Sequence, residues 1–127
     1  MKDCAIRLTN HPGDFARVAQ ALARRGVNIK ALAGLAMGTD AVVRVLPDDM
    51  AAARGALEAA TIRFSEGEVH VVLLENKAGV LADVANRLAE AGVNLEAIYL
   101  TAITDDLVEG AVVGDDPKKT KKILEDF

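Results

Sequence analysis

The stretch "NHPGDFARVAQALARRGVNI", residues 10–29, returns as "NKAGVLADVANRLAEAGVNL", residues 76–95. Asn76 minus Asn10 gives an offset of 66, and at that offset residues 10–49 and 76–115 agree at 15 of 40 positions without a gap. The shared positions form a frame: Asn10/Asn76, Gly13/Gly79, Val18/Val84, Leu22/Leu88, Gly26/Gly92, Val27/Val93 and Asn28/Asn94. A period this long exceeds that of stacked solenoid repeats and has the size of a small domain. The chain therefore reads as two tandem modules, residues 1–66 and 67–127.

Within each copy the apolar residues keep a helical spacing. Phe15, Val18, Ala19 and Leu22 fall on one face, as do Leu81, Val84, Ala85 and Leu88. Pro12 suits a first helical turn, and Gly26 and Gly92 suit helix ends. Before each helix stands an alternating segment, "DCAIRLT" (3–9) and "EVHVVLLE" (68–75), read as strands. After each helix come two more strands, near 28–37 and 41–46 in the first copy and near 94–103 and 107–113 in the second. An Ala-rich helix over 50–60, capped by Asp48 or Asp49, answers a C-terminal helix capped by Asp116 with Pro117 at its first position. "TIRF" (61–64) completes the first copy as a fourth strand, and the second copy has no counterpart to it.

The order is βαββαβ, the split βαβ or ferredoxin-like plan, an α+β fold with both helices on one sheet face. Two expectations follow. The segment 61–64, only "SEG" away from Glu68, is expected to pair with both flanking strands and fuse the modules into one seven-stranded sheet. The helix-free face of the second module is expected to expose Val69, Val71, Leu73, Ile98 and Leu100, enough apolar surface to favour a homodimer. One strand resists assignment, since Arg44 and Glu109 fall on opposite parities at the common offset.

Composition narrows the function. The chain has 127 residues, half of them hydrophobic but only 3% aromatic, so the core is aliphatic. A net charge of −4 and the shortage of aromatic platforms argue against nucleic acid. One cysteine, no long apolar run and no leader-like start point to a cytoplasmic protein with no membrane partner. His11 and His70 lack a metal-ligand constellation, and no cofactor motif or catalytic signature is present. The lysines of "KKTKK" read as a solvated helix face, and Met37 and Met50 as packing residues. An acylphosphatase-type chemistry is disfavoured, because neither "NHPG" nor "NKAG" carries a loop arginine.

The repeated frame, x-Pro/Ala-Gly, an amphipathic helix, then Gly-Val-Asn-Ile/Leu, resembles the ACT domain, a ferredoxin-like regulatory module that binds small molecules, usually amino acids. The resemblance covers nearly the whole chain and is similar to the serine-binding ACT domain of 3-phosphoglycerate dehydrogenase. It implies paired modules and a ligand held by the loop before the first helix and by the start of the second strand, often of a neighbouring module. Carried onto this chain, the ligand-binding set is Asn10, His11, Pro12, Gly13, Asp14, Phe15, Asn28 and Ile29, with Asn76, Ala78, Gly79, Val80, Leu81, Asn94 and Leu95. Leu8 and Leu74 stand where the serine-binding domain has a histidine, so serine itself is not implied.

The chemistry suits a zwitterion. A helix start offers free N–H groups to a carboxylate, a glycine lets it approach, and an asparagine amide can meet either charge. The same asparagines have plain structural alternatives. Asn10 and Asn76 would then cap helices, and Asn28 and Asn94 would stabilise the turn that follows the helix. The sequence thus points to a free-standing amino-acid sensor without enzymatic activity, with a metabolic enzyme as a possible partner. The alternative is a module that only dimerises or docks.

Overall fold

The computed structural model describes all 127 residues. The chain divides into two compact units, Lys2–Gly67, and Glu68–Phe127 together with Met1. The first unit runs β1 (Lys2–Thr9), α1 (Asp14–Arg24), β2 (Ile29–Met37), β3 (Asp40–Pro47), α2 (Met50–Ala59) and β4 (Ser65–Glu68). The second runs β5 (His70–Glu75), α3 (Val80–Glu90), β6 (Leu95–Ile103), β7 (Leu107–Gly114) and α4 (Pro117–Leu124). These are the ferredoxin-like α+β units expected from the repeat.

The strands form two separate sheets, ordered β2-β3-β1-β4 and β5-β7-β6. This overturns the expected seven-stranded sheet. Residues 61–64 are not a strand: Thr61 takes a left-handed φ of 57°, and Ile62 and Phe64 pack onto the core of the first unit. The fourth strand lies downstream at Ser65–Glu68 and belongs to the first sheet. "TIRF" mimicked a strand because two core-facing apolar residues spaced by two look alternating in a loop as well.

Each core is aliphatic. In the first unit, Cys4 and Ile6 of β1 and Val43 and Val45 of β3 meet Val18, Ala21 and Leu22 of α1 and Ala53, Ala56 and Leu57 of α2. In the second, Val72 and Leu74, with Val108 and Val112, meet Val84 and Leu88 of α3 and Leu124 of α4. Phe15 and Leu81, placed on the inner helix face by spacing, are instead exposed at the helix starts. They sit one turn before the first buried residue, beyond the edge of the core.

The parity conflict has a local cause. Thr9 pairs with Asp40 and Glu75 with Leu107, and 107 − 40 gives 67, so β7 is shifted by one residue against the offset of 66. A register irregularity between Leu100 and Ala102 absorbs the extra residue. With that shift, Arg44 and Glu109 both lie on the helix-free face. Arg44 grips Asp3 there through Nε and Nη2 at 2.9 and 3.0 Å, and Asp3 is fully buried.

The same register corrects the bare-face assignment. Val71 and Leu73 do lie on the helix-free side, opposite Ala111 and Glu109. Ile98 and Leu100 pair with Val112 and Gly110, which places them on the helix side of the edge strand β6, where they remain exposed.

Candidate functional site

The four helices begin in two different ways. Asp49 and Asp116 cap α2 and α4, their carboxylates accepting from the N–H groups of Ala52 and Lys119. Asp48, the other candidate cap, has a different task described below. In contrast, α1 and α3 open on Gly13 and Gly79, at φ 90° and 92°, with no side-chain cap. That backbone conformation favours glycine, and a Cβ there would meet nothing within 4 Å, so conformation rather than crowding requires it.

Each uncapped start leaves N–H groups without an acceptor. Arg17 donates to Gly13 and Asp83 to Gly79, while the Phe15, Ala16, Leu81 and Ala82 amides have no partner. The helix dipole adds partial positive charge at the same point. Pro12 precedes the helix rather than entering its first turn.

The repeated asparagines do not cap these helices. Asn10 donates from Nδ2 to the Gly38 carbonyl at 3.1 Å, and its own backbone N–H donates to Thr39 at 2.8 Å. Asn76 repeats this on Thr104 and Asp106, both at 2.8 Å. Each therefore ties the loop before the helix to the hairpin turn between the second and third strands. The amide nitrogen is engaged, and the Oδ1 acceptor has no hydrogen-bond partner.

Asn28 and Asn94 are bound through their backbones. The Asn28 N–H donates to the Asp48 carboxylate at 3.1 Å, and its carbonyl accepts from the Asp48 N–H at 2.9 Å. Asp115 clasps Asn94 in the same way, at 2.9 Å for both bonds. Neither asparagine has a positive φ, so the left-handed turn role falls to Gly26 and Gly92 instead. Both side chains are exposed and unpartnered. Within one module, Asn10 and Asn28 stand at opposite ends of an 11-residue helix, about 16 Å long at 1.5 Å per residue, and do not meet.

A cavity of about 390 Å³ lies beside the start of α1. Thr9, Asn10, His11, Asp14 and Phe15 line one side, and Leu32, Gly34 and Ala36 of the edge strand β2 line another. Pro12, Gly13, Asn28 and Ile29 are not part of its wall. The Asp14 carboxylate, about one third exposed, is 3.9 Å from the His11 ring.

The cavity nearest the start of α3 is differently built. Its volume is about 310 Å³ and its lining includes Glu75, Lys77, Val80, Asp83 and Phe127. Of the second-module residues expected at a site, only Val80 takes part; Asn76, Ala78, Gly79, Leu81, Asn94 and Leu95 do not. Lys77 pairs with Glu75 at 2.8 Å, which lowers the Glu75 carboxyl and raises the Lys77 ammonium from their ordinary values.

Sequence reading missed the β2 wall. Leu32, Gly34 and Ala36 carry no motif, and only the edge position of the strand brings them to the loop. It also missed the Asp48 and Asp115 clasps, which occur at an offset of 67 rather than 66.

Other chemistry is sparse. No group of three or more His, Cys, Asp or Glu side chains is placed to hold a metal ion. Burial pushes the Cys4 thiol up to about 11, so it is no ready nucleophile. No helix is long and apolar enough to cross a membrane.

Residues 71–126 match the family model of the ACT domain. The second module is an ACT domain, and the first repeats its fold. A comparison with curated proteins finds no match. Among solved structures, protein BT0572 from Bacteroides thetaiotaomicron aligns with a TM-score of 0.85 at 23% identity, over 98% of this chain and 86% of that one. The ligand-free regulatory subunit of aspartate kinase from Thermus thermophilus aligns at 0.66 and 20%, over 98% and 90%. The aspartokinase alpha and beta subunits align at 0.67 and 17%, again over 98% and 90%. At these identities the likeness is one of fold.

Proposed function

We propose that the chain is a non-catalytic regulatory protein that binds an amino acid at the start of α1 and transmits occupancy to a partner enzyme. One observation carries the reading. The helices that open on the candidate sites have glycine and no side-chain cap, while the other two helices of the same chain are capped by aspartate. Asp49 and Asp116 show that this fold accepts a side-chain cap at a helix start. A ligand carboxylate at Gly13 would supply the acceptor that Phe15 and Ala16 lack.

The remaining groups suit an amino acid. Asn10 Oδ1 and the Asp14 carboxylate offer acceptors to an ammonium, and the β2 wall offers apolar surface. The start of α3 presents the same amides beside Ala78, Gly79, Val80 and Leu81, as a second candidate. Asn28 and Asn94, followed by Ile29 and Leu95, have free amides at the starts of second strands. In a homodimer, those of a second copy are available to close the site.

Binding regulates only if the ligand prefers one arrangement of modules or partners over another. A thermal-shift screen of the twenty amino acids at millimolar concentration tests the reading, since a ligand raises apparent stability by mass action. A rise confined to a few chemically related amino acids is expected. A flat response across the set contradicts it.

A specific observation favours a second reading, in which the chain only docks or dimerises. Leu32 on β2 and Ile98 and Ile103 on β6 are exposed on open edge strands, and edges of this kind invite pairing. A flat thermal screen together with a sedimentation coefficient for a dimer would favour it.

A further inference from the structure

We propose that Gly34 sets the ligand specificity of the first module, and that this module takes neutral amino acids with an apolar side chain while the second does not. The inference rests on the amino-acid reading above and deepens it.

Gly34 lies in the edge strand β2, opposite Val43. A glycine inside a strand weakens it by about 0.5–1 kcal/mol relative to alanine. Nothing in the fold asks for that cost. Gly34 has no positive φ, and an added Cβ would meet only Val43 Cγ2 at 3.6 Å, an ordinary contact. What the missing side chain does is keep open the cavity that Gly34 shares with Asn10, Asp14, Phe15 and Leu32.

The second module is an internal control. At the offset of 66 its edge strand carries Leu100, and Leu100 pairs with Gly110 as Gly34 pairs with Val43. Large and small residues are exchanged between edge and centre. The edge-strand position that carries no side chain in the first module carries a branched one in the second.

The polar end differs in the same sense. Asp14 gives the first module a carboxylate at the helix start, where the second has Val80. The nearby Lys77 of the second module is already paired with Glu75. A ligand in the first module thus places its ammonium against Asp14 and Asn10 Oδ1, and its apolar side chain over Gly34 between Leu32 and Phe15.

The test uses the full chain and calorimetric titration with leucine, valine, methionine and phenylalanine, and with glycine, serine, aspartate and lysine. The wild-type chain is expected to bind the apolar set at least ten-fold more tightly than the others. Gly34→Leu should weaken the apolar set at least ten-fold while glycine or serine binding persists, and Leu100→Gly should leave first-module affinity unchanged. Gly34→Ala, whose Cβ has room, should give an intermediate loss and keeps the test valid if Gly34→Leu fails to fold. If no amino acid binds the wild-type chain, the amino-acid reading itself fails. If amino acids bind without preference for the apolar set, or if the folded Gly34 variants bind like wild type, the specificity proposal is overturned and the amino-acid reading stands.

Discussion

The carboxamide nitrogen of Asn10 donates to the carbonyl oxygen of Gly38 at 3.1 Å, across 28 residues of chain. Together with the bond from the Asn10 backbone N–H to the Thr39 carbonyl, this bond joins the loop that opens α1 to the turn that joins β2 to β3. It sets the position of the Asn10 carboxamide by anchoring it to the β2–β3 hairpin. Asn10→Ala should therefore lower stability by only about 1 kcal/mol, the net worth of an exposed hydrogen bond, yet reduce amino-acid binding far more. Urea titration and calorimetry on the same variant separate the two effects. Equal small losses in both would leave Asn10 a hairpin brace alone.

The Asp3–Arg44 pair predicts a larger effect. Asp3 is wholly buried, and Arg44 holds it with two bonds from the adjacent strand β3. Arg44→Ala leaves a buried carboxylate without these two bonds, which should cost about 3–5 kcal/mol. Replacing both residues with apolar ones, as in Asp3→Leu with Arg44→Met, should recover much of that loss. Chemical denaturation of the single and double variants checks both statements.

Two glycines should respond in opposite directions to alanine. At Gly114 the new Cβ would land on the Thr120 side chain and lie 2.7 Å from Val93 Cγ1, inside a packed core. Overpacking of this kind costs about 1–3 kcal/mol. At Gly55, inside α2, the nearest atom is the mobile Arg25 guanidinium at 3.8 Å. Gly55→Ala should gain up to about 1 kcal/mol from helix propensity. Thermal melts of the two variants should move apart from the wild-type midpoint, down for Gly114→Ala and up for Gly55→Ala.

Cys4 should resist modification in the folded protein. It is 1% exposed, and its thiol is raised to about 11. Since the thiolate is the reactive form, iodoacetamide at mildly alkaline pH should label it only in denaturant. Rapid labelling without denaturant, read by mass spectrometry, would show that β1 opens readily.

Much of the fold was legible because the repeat fixes register twice. Helical spacing around Val18 and Val84 and the glycine stops located α1 and α3, and Asp116-Pro117 located α4. What escaped depends on chain geometry that periodicity does not carry. "TIRF" alternates like a strand while running as a loop, and a one-residue slip near Leu100 hid the common facing of Arg44 and Glu109. The candidate site was legible on its helix side, where Asn10, Gly13 and Asp14 form a motif. Its β2 wall was not, because Leu32, Gly34 and Ala36 reach the loop only through strand pairing.

The claim on which the account turns is that the uncapped start of α1 receives a ligand carboxylate. It is tested most directly by following backbone amide resonances while neutral apolar amino acids are titrated into nitrogen-15-labelled protein. The account predicts saturable shifts led by the Phe15 and Ala16 amides, with Asn10 and Gly34 following, and smaller shifts for the corresponding amino-acid amides, which lack the carboxylate. Unmoved Phe15 and Ala16 resonances at millimolar ligand, or shifts of equal size with the amides, would contradict it.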